Sequence, residues 1–238
     1  MKLICYLSNG YPSLQASAKM ARLYADAGCD AIEIDFPSRD PYLEGELISG
    51  RMREALAACD DYGAYMDQMA QVKCDLPDTE FILLAYESTV REIGVDRFLR
   101  FSQENGYRDM ILVGLTGEKT RDELIAGGLR VSCYVQFHLP EDQVKHALTT
   151  NGFTYLQAVP EPGQATKEHP TLASCISYLR GRGLKNPIYC GVGVHAPDDA
   201  AMCKDAGADG VFVGSTILKL HNDPVALGSM IREFKANC

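Results

Sequence analysis

The stretch DAGCDAIEI, residues 26–34, returns as DAGADGVFV at residues 205–213, and NGYRDMILV at residues 105–113 echoes both. Each copy reads as a helix ending on glycine in a left-handed cap, a turn through aspartate, and a short apolar strand. Working outward, runs rich in β-branched and aromatic residues fall at 2–7, 31–35, 80–85, 109–114, 130–136, 153–159, 187–190 and 210–213. Between them lie amphipathic segments with apolar residues on a 3.6-residue period, as in residues 14–27. Eight strand–helix alternations without a break in composition predict a parallel sheet closed on itself, a (β/α)8 TIM barrel. No linker or low-complexity tract divides residues 1–238, so the expectation is a single barrel domain.

Composition narrows the function. Apolar residues make up 46% of the 238, enough for one large core and contrary to disorder. No apolar run approaches the roughly 20 residues of a membrane span. The opening MKLICYLSNG has one lysine and too short an apolar run for a signal peptide. Nine scattered cysteines without a C-x-x-C suit reduced thiols in a cytoplasm, not a disulfide framework or a zinc site. A net charge of −9 with no basic run argues against nucleic acid, so an anionic substrate must be held by local groups.

In such a barrel, ligands sit where strands end and the following loops begin. Three loops stand out. The first follows IEIDFPSRDPYLEGE, residues 32–46. Alternation along a strand turns Ile32 and Ile34 toward the helices, and Ala31, Glu33 and Asp35 toward the barrel axis. An inward carboxylate costs desolvation energy, and an unpaired one tends to hold a proton. The bland alternative is an ion pair, with Arg130 the one candidate partner. A like charge on Asp35 would raise the proton affinity of Glu33, unless solvent takes it up. The second loop is CGVGVHAPDDA, residues 190–200, and the third VFVGSTILKL, residues 211–220. Each runs from a strand through glycine toward a helix start. Together they read as a phosphate cradle of main-chain amides, with plain turn glycines the alternative. His195 reads as a neighbour of the helix cap. Tyr155, inward on strand six, and Tyr86, after strand three, would wall an aromatic or sugar pocket, or serve as core with satisfied hydroxyls. The polar segment PEPGQATKEHP, residues 160–170, reads as a lid or a plain surface loop.

Taken together, these pieces resemble the α subunit of tryptophan synthase. YLSNGYPSLQ is similar to that family's opening loop. IEIDFPSRDPYLEGE resembles its strand-two motif of Glu, Pro, Ser-x-Asp-Pro and an acid before Gly. LAYESTVREIGVDRFL, GFTYLQAV, CGVGV and FVGSTILK resemble later segments, so the likeness runs through nearly the whole chain. It implies retro-aldol cleavage of indole-3-glycerol phosphate into indole and glyceraldehyde 3-phosphate, without a cofactor or metal. Glu33 would be the acid/base at C3 of the indole ring. Glu44 would stand where the family has an aspartate facing the ring N–H, Tyr155 would match a pocket tyrosine, and Gly193, Gly214 and Ser215 would match the phosphate binders. A pyridoxal-phosphate β subunit is the implied partner, met by the loop carrying Pro37, Asp40 and Pro41.

Departures from the family pattern keep other readings open. Glu44 is longer than the expected aspartate, and Asp35 stands where the family normally has glycine. The lid, normally Gly-Val-Thr-Gly, reads Pro160-Glu161-Pro162-Gly163, with Gly163 left to contact substrate. Gly114 takes the place of an acid, and the family's helix before strand one has no counterpart. A barrel lyase or isomerase acting on another sugar phosphate, or a non-catalytic phosphate-binding subunit, are the alternatives.

Overall fold

The computed structural model describes residues 1–163 and 166–238. Nine parallel strands run in the order β5-β4-β3-β2-β1-β9-β8-β7-β6. They are β1 Lys2–Leu7, β2 Ala31–Asp35, β3 Glu80–Tyr86, β4 Asp109–Val113, β5 Arg130–Val131, β6 Cys133–Val135, β7 Thr154–Gln157, β8 Ile188–Gly191 and β9 Gly210–Val213. The helices are α1 Leu14–Asp26, α2 Glu46–Ala58, α3 Tyr62–Asp75, α4 Glu87–Ile93, α5 Val95–Glu104, α6 Lys119–Ala126, α7 Glu141–Thr149, α8 Leu172–Gly181, α9 Pro197–Asp205, α10 Ser215–Leu218 and α11 Pro224–Ala236. The expected barrel is therefore present, with one difference. The fifth strand is split at Ser132 into β5, which pairs with β4, and β6, which pairs with β7. The barrel closes through this single stretch of chain.

Side chains explain the split. The Asn151 amide accepts the Val131 N–H at 3.0 Å, and Thr150 donates its hydroxyl to the Val131 carbonyl at 2.7 Å. Side chains thus take the bonds that a ladder to β7 would have used, and pairing starts only at Cys133. The chain passes close by at Gly152, where a Cβ would lie 2.5 Å from the Val131 carbonyl carbon and oxygen. Backbone cannot swing aside as a side chain can. Gly152→Ala is expected to lower unfolding stability by about 1–3 kcal/mol in urea titration, and an unchanged midpoint would contradict this account.

The repeated DAG-x-D motif has a concrete role. Gly28 (φ +97°) and Gly207 (φ +90°) take the left-handed conformation that ends α1 and α9. The next N–H then reaches back to close each helix, Cys29 to Tyr24 at 3.1 Å and Ala208 to Cys203 at 3.1 Å. The aspartate two residues past each glycine clamps the foot of the neighbouring strand. Asp30 accepts the Leu3 N–H at 2.7 Å, and Asp209 accepts the Ile188 N–H at 2.8 Å. Lys235 and Arg180 pair with these two carboxylates. One short pattern stops a helix, turns the chain and sets strand register.

Alternation sorts the core into two layers. Leu3, Cys5, Leu7, Ile32 and Ile34 face outward and pack under the helices. Ile4, Tyr6, Ala31, Ile82, Leu84, Ile111, Phe153, Tyr189 and Phe212 fill the barrel interior. The inward face of β2 is then the sequence Ala31, Glu33, Asp35, rising toward the C-terminal mouth.

Candidate active site

Glu33 is buried on that inward face, in register with Tyr6 of β1 and Ile82 of β3. Among the described residues its carboxyl has no hydrogen-bond or ion-pair partner. Arg130, the candidate partner, is exposed at the start of β5 and pairs with Asp109 instead. Burial, with the Glu44 and Asp35 carboxyls as lesser causes, pushes the proton affinity of Glu33 up to about 8. At neutral pH this group is a protonated acid.

Asp35, one inward step higher, is also buried, so it is not left to solvent. One oxygen accepts the Tyr6 hydroxyl at 2.8 Å and the other the Asn9 N–H at 2.5 Å. Burial raises its proton affinity to about 7 against the opposing pull of these two donors. Glu44 arrives from the β2–α2 loop. Its own N–H donates to Pro41 O at 3.0 Å, closing a turn that swings the half-buried carboxyl back over the mouth, where burial raises its proton affinity too. The loop is tied down by the Tyr62 hydroxyl on Pro37 O, by Arg39 on Asp60 and Glu92, and by the Tyr86 hydroxyl accepting the Leu43 N–H at 3.0 Å. Tyr86 is wholly buried with its ring edge-on to Tyr42, so it supports the segment that carries Glu44.

Tyr155 points into the barrel, its ring stacked on Phe212 at 4.5 Å and edge-on to Tyr134 at 5.8 Å. Gly191 makes room for that ring, since a Cβ there would collide with the Tyr155 ring and hydroxyl. Sequence reading passed over Tyr6 and Tyr134. Tyr6 sits at an inward position of β1 by the same alternation that placed Glu33, and that was the available signal.

The two glycine loops lie two and three strands around the barrel from Glu33. After β8 the chain turns through Val192 (φ +59°) and Gly193 (φ +93°), and α9 begins at Pro197. After β9, Gly214 leads into α10 at Ser215. The Thr216 hydroxyl donates to His195 O at 3.0 Å and locks the loops together. Among the described residues the N–H groups of Gly193, Val194 and Gly214 are unpaired, so main-chain donors are available for an anion. The two amides just before α9 are not, because Asp199 accepts the N–H of both His195 and Ala196 at 2.8 Å. His195 is exposed and joins these bonds through its main chain. Gly163 stands on an exposed turn at φ +87°. The expected lid, 160–170, includes residues 164 and 165, which lie outside the described residues. Among the described residues no group of three or more His, Cys, Asp or Glu could hold a metal, and no helix is long and apolar enough to cross a membrane.

A family model described as tryptophan synthase alpha chain matches residues 1–237. The tryptophan synthase alpha chain of Methanothermobacter thermautotrophicus is 29% identical over 214 residues, spanning 88% of this chain and 78% of that one. That of Methanosarcina mazei is 28% identical over 242 residues, spanning 98% and 88%. Among solved structures, tryptophan synthase subunit alpha from Legionella pneumophila superposes with a TM-score of 0.84 at 23% identity, covering 99% of this chain and 92% of that one. A structure from Aquifex aeolicus reaches 0.87 at 24% identity, with the same coverage. At such identities these superpositions speak for the TIM barrel alone. The family match over nearly every residue carries the further step: this chain belongs to the tryptophan synthase alpha chain family.

Proposed function

We propose that the chain acts as one barrel domain that cleaves indole-3-glycerol phosphate into indole and glyceraldehyde 3-phosphate by a retro-aldol reaction, within tryptophan biosynthesis. What supports this reading is Glu33, a buried carboxyl without a partner among the described residues, whose proton affinity burial raises to about 8 and which lies across the barrel mouth from the glycine loops. A carbon–carbon cleavage at an indole needs a proton delivered to C3 of the ring, as the glycerol hydroxyl beside the breaking bond gives one up. Glu33 holds the first proton and, ionised once it has given that proton to C3, is the acceptor for the one the hydroxyl loses. Glu44, nearer solvent, is placed to face positive charge growing at the ring N–H. Stacked Tyr155 and Phe212, with Tyr134 at the edge, offer an aromatic wall for the planar ring. Gly193, Gly214 and Ser215 would hold the phosphate by main-chain amides, with Gly163 added from the lid. None of these steps calls on a cofactor.

A β subunit is the proposed partner. The loop carrying Pro37, Asp40 and Pro41 also presents Tyr42 and Leu43, which are 64% and 57% exposed beside the mouth, apolar area suited to a docked protein. We place the protein in the cytoplasm, where its free thiols remain reduced. The test is indole release from indole-3-glycerol phosphate by the purified chain, with and without a β subunit. No release under either condition, together with thermal stabilisation by other sugar phosphates, would favour a diverged barrel. Glu44→Asp is expected to preserve or raise release, since the shorter side chain restores the family's acid. A loss of about tenfold or more would contradict the role given to Glu44.

A further inference from the structure

Asp35 is a buried carboxyl that the proposed reaction does not use. It shares the inward face of β2 with Glu33, two residues away and hence about 7 Å along the strand. The groups facing the pair are Tyr6 from β1, Tyr155 from β7, Tyr65 from α3 on the Asp35 side, and Glu44 from the β2–α2 loop, with Tyr86 of β3 beyond Glu44. Apolar Ile82, Leu84 and Phe212 supply the remaining wall. Among the described residues no lysine, arginine or histidine is among them, so the carboxyls cannot all be ionised in this apolar setting.

The two acids are not equivalent. Asp35 accepts two hydrogen bonds, from the Tyr6 hydroxyl and the Asn9 N–H, and among the described residues Glu33 accepts none. Hydrogen bonds to the charged form favour it, so a single negative charge settles on Asp35 and the proton stays on Glu33. We infer that Asp35 is a positioning residue for proton transfer: anchored by Tyr6 and the β1–α1 loop, it takes the charge of the pair and keeps Glu33 loaded as the acid. The inference deepens the proposed role of Glu33 and rests on it. The direction of the shifts agrees, with Asp35 near 7 and Glu33 near 8. The anchor is itself built in. Asn9 accepts the Ser17 hydroxyl at 3.3 Å through its side chain, and the Gly10 N–H donates to the same hydroxyl at 3.1 Å. The loop is therefore fixed to α1 at the point where its amide meets Asp35.

The test titrates Glu33 directly. NMR of the side-chain carboxyl carbons in glutamate-labelled protein, with the Glu33 signal assigned by its loss in E33Q, reads its midpoint without substrate. In the wild type that midpoint is expected well above the ordinary glutamate range. Asp35→Asn keeps the shape but removes the charge, and is expected to lower the midpoint by about one pH unit. Tyr6→Phe removes one donor to Asp35 and is expected to move it the same way by less. In activity, the alkaline limb of the kcat/KM profile should move with the titration, which a purely structural role would not cause. A Glu33 midpoint unmoved in Asp35→Asn, or an ordinary midpoint in the wild type, overturns the inference. Should Asp35→Asn fail to fold, Tyr6→Phe decides it on the same criterion. If the wild type releases no indole yet the midpoint shifts as described, the proposed substrate is wrong and the proton-holding pair stands.

Discussion

Replacing Glu33 by Gln is expected to reduce indole release by about two to four orders of magnitude while leaving the fold intact. Glutamine matches the protonated acid in shape and polarity, so the packing among Tyr6, Ile82 and Tyr155 has no reason to change. What is lost is the transferable proton. The neighbours are poorly suited to replace it. Asp35 is held by Tyr6 and Asn9, and Glu44 rides on a turn nearer solvent. The loss should fall on kcat, because the phosphate cradle and aromatic wall that bind substrate are untouched. Steady-state kinetics with a β subunit present, beside thermal stabilisation by the substrate, separates the two effects. A variant retaining more than a tenth of wild-type turnover would move the acid to another carboxyl.

That residue could be named from sequence because the governing physics is local. The glycine caps at Gly28 and Gly207 and the aspartates after them act within a few residues of chain, and so leave a repeat that can be read. Pleat alternation then puts Glu33 inside once Ile32 and Ile34 are known to face the helices. Features that escaped reading depend on contacts between distant segments. Asp35 looked as ready to be solvated as buried, since its partners Tyr6 and Asn9 lie 26 to 29 residues earlier and meet it only when β1 pairs with β2. The break at Ser132 arises from Thr150 and Asn151, side chains at the end of a helix twenty residues away. The occupied amides leading into α9 were hidden likewise. Asp199 could be seen as an acid in a first helical turn, but not as the acceptor of the two amides that an anion would need.

The second large effect needs no substrate. A carboxyl buried as the neutral acid binds its proton more tightly folded than unfolded. Glu33 has a folded value of about 8 against 4.5 for the free side chain. Below pH 4.5 both states are protonated and burying Glu33 carries no charge penalty. As pH rises from 4.5 through 8 the unfolded chain releases the proton while the folded one retains it, so unfolding is favoured increasingly across that window. Above it the penalty is complete, on the order of 5 kcal/mol. E33Q has no such proton. Its stability should match the wild type near pH 4 and exceed it by most of that amount near pH 9, measured as the difference between urea unfolding curves at each pH. Taking the difference removes other titrating groups, among them Glu87, whose behaviour is opposite. Despite burial, hydrogen bonds from Thr120 and Thr116 and the Arg91 charge hold Glu87 down near 2, so its contribution is present above pH 4.5 and fades on acidification. A gap between wild type and E33Q that stays flat from pH 4 to 9 would mean that Glu33 is solvated and ionised in the folded protein. Both the acid of the proposed cleavage and the charge held by Asp35 would then lose their footing, because each requires the proton to remain inside the barrel when the surrounding water no longer supplies it.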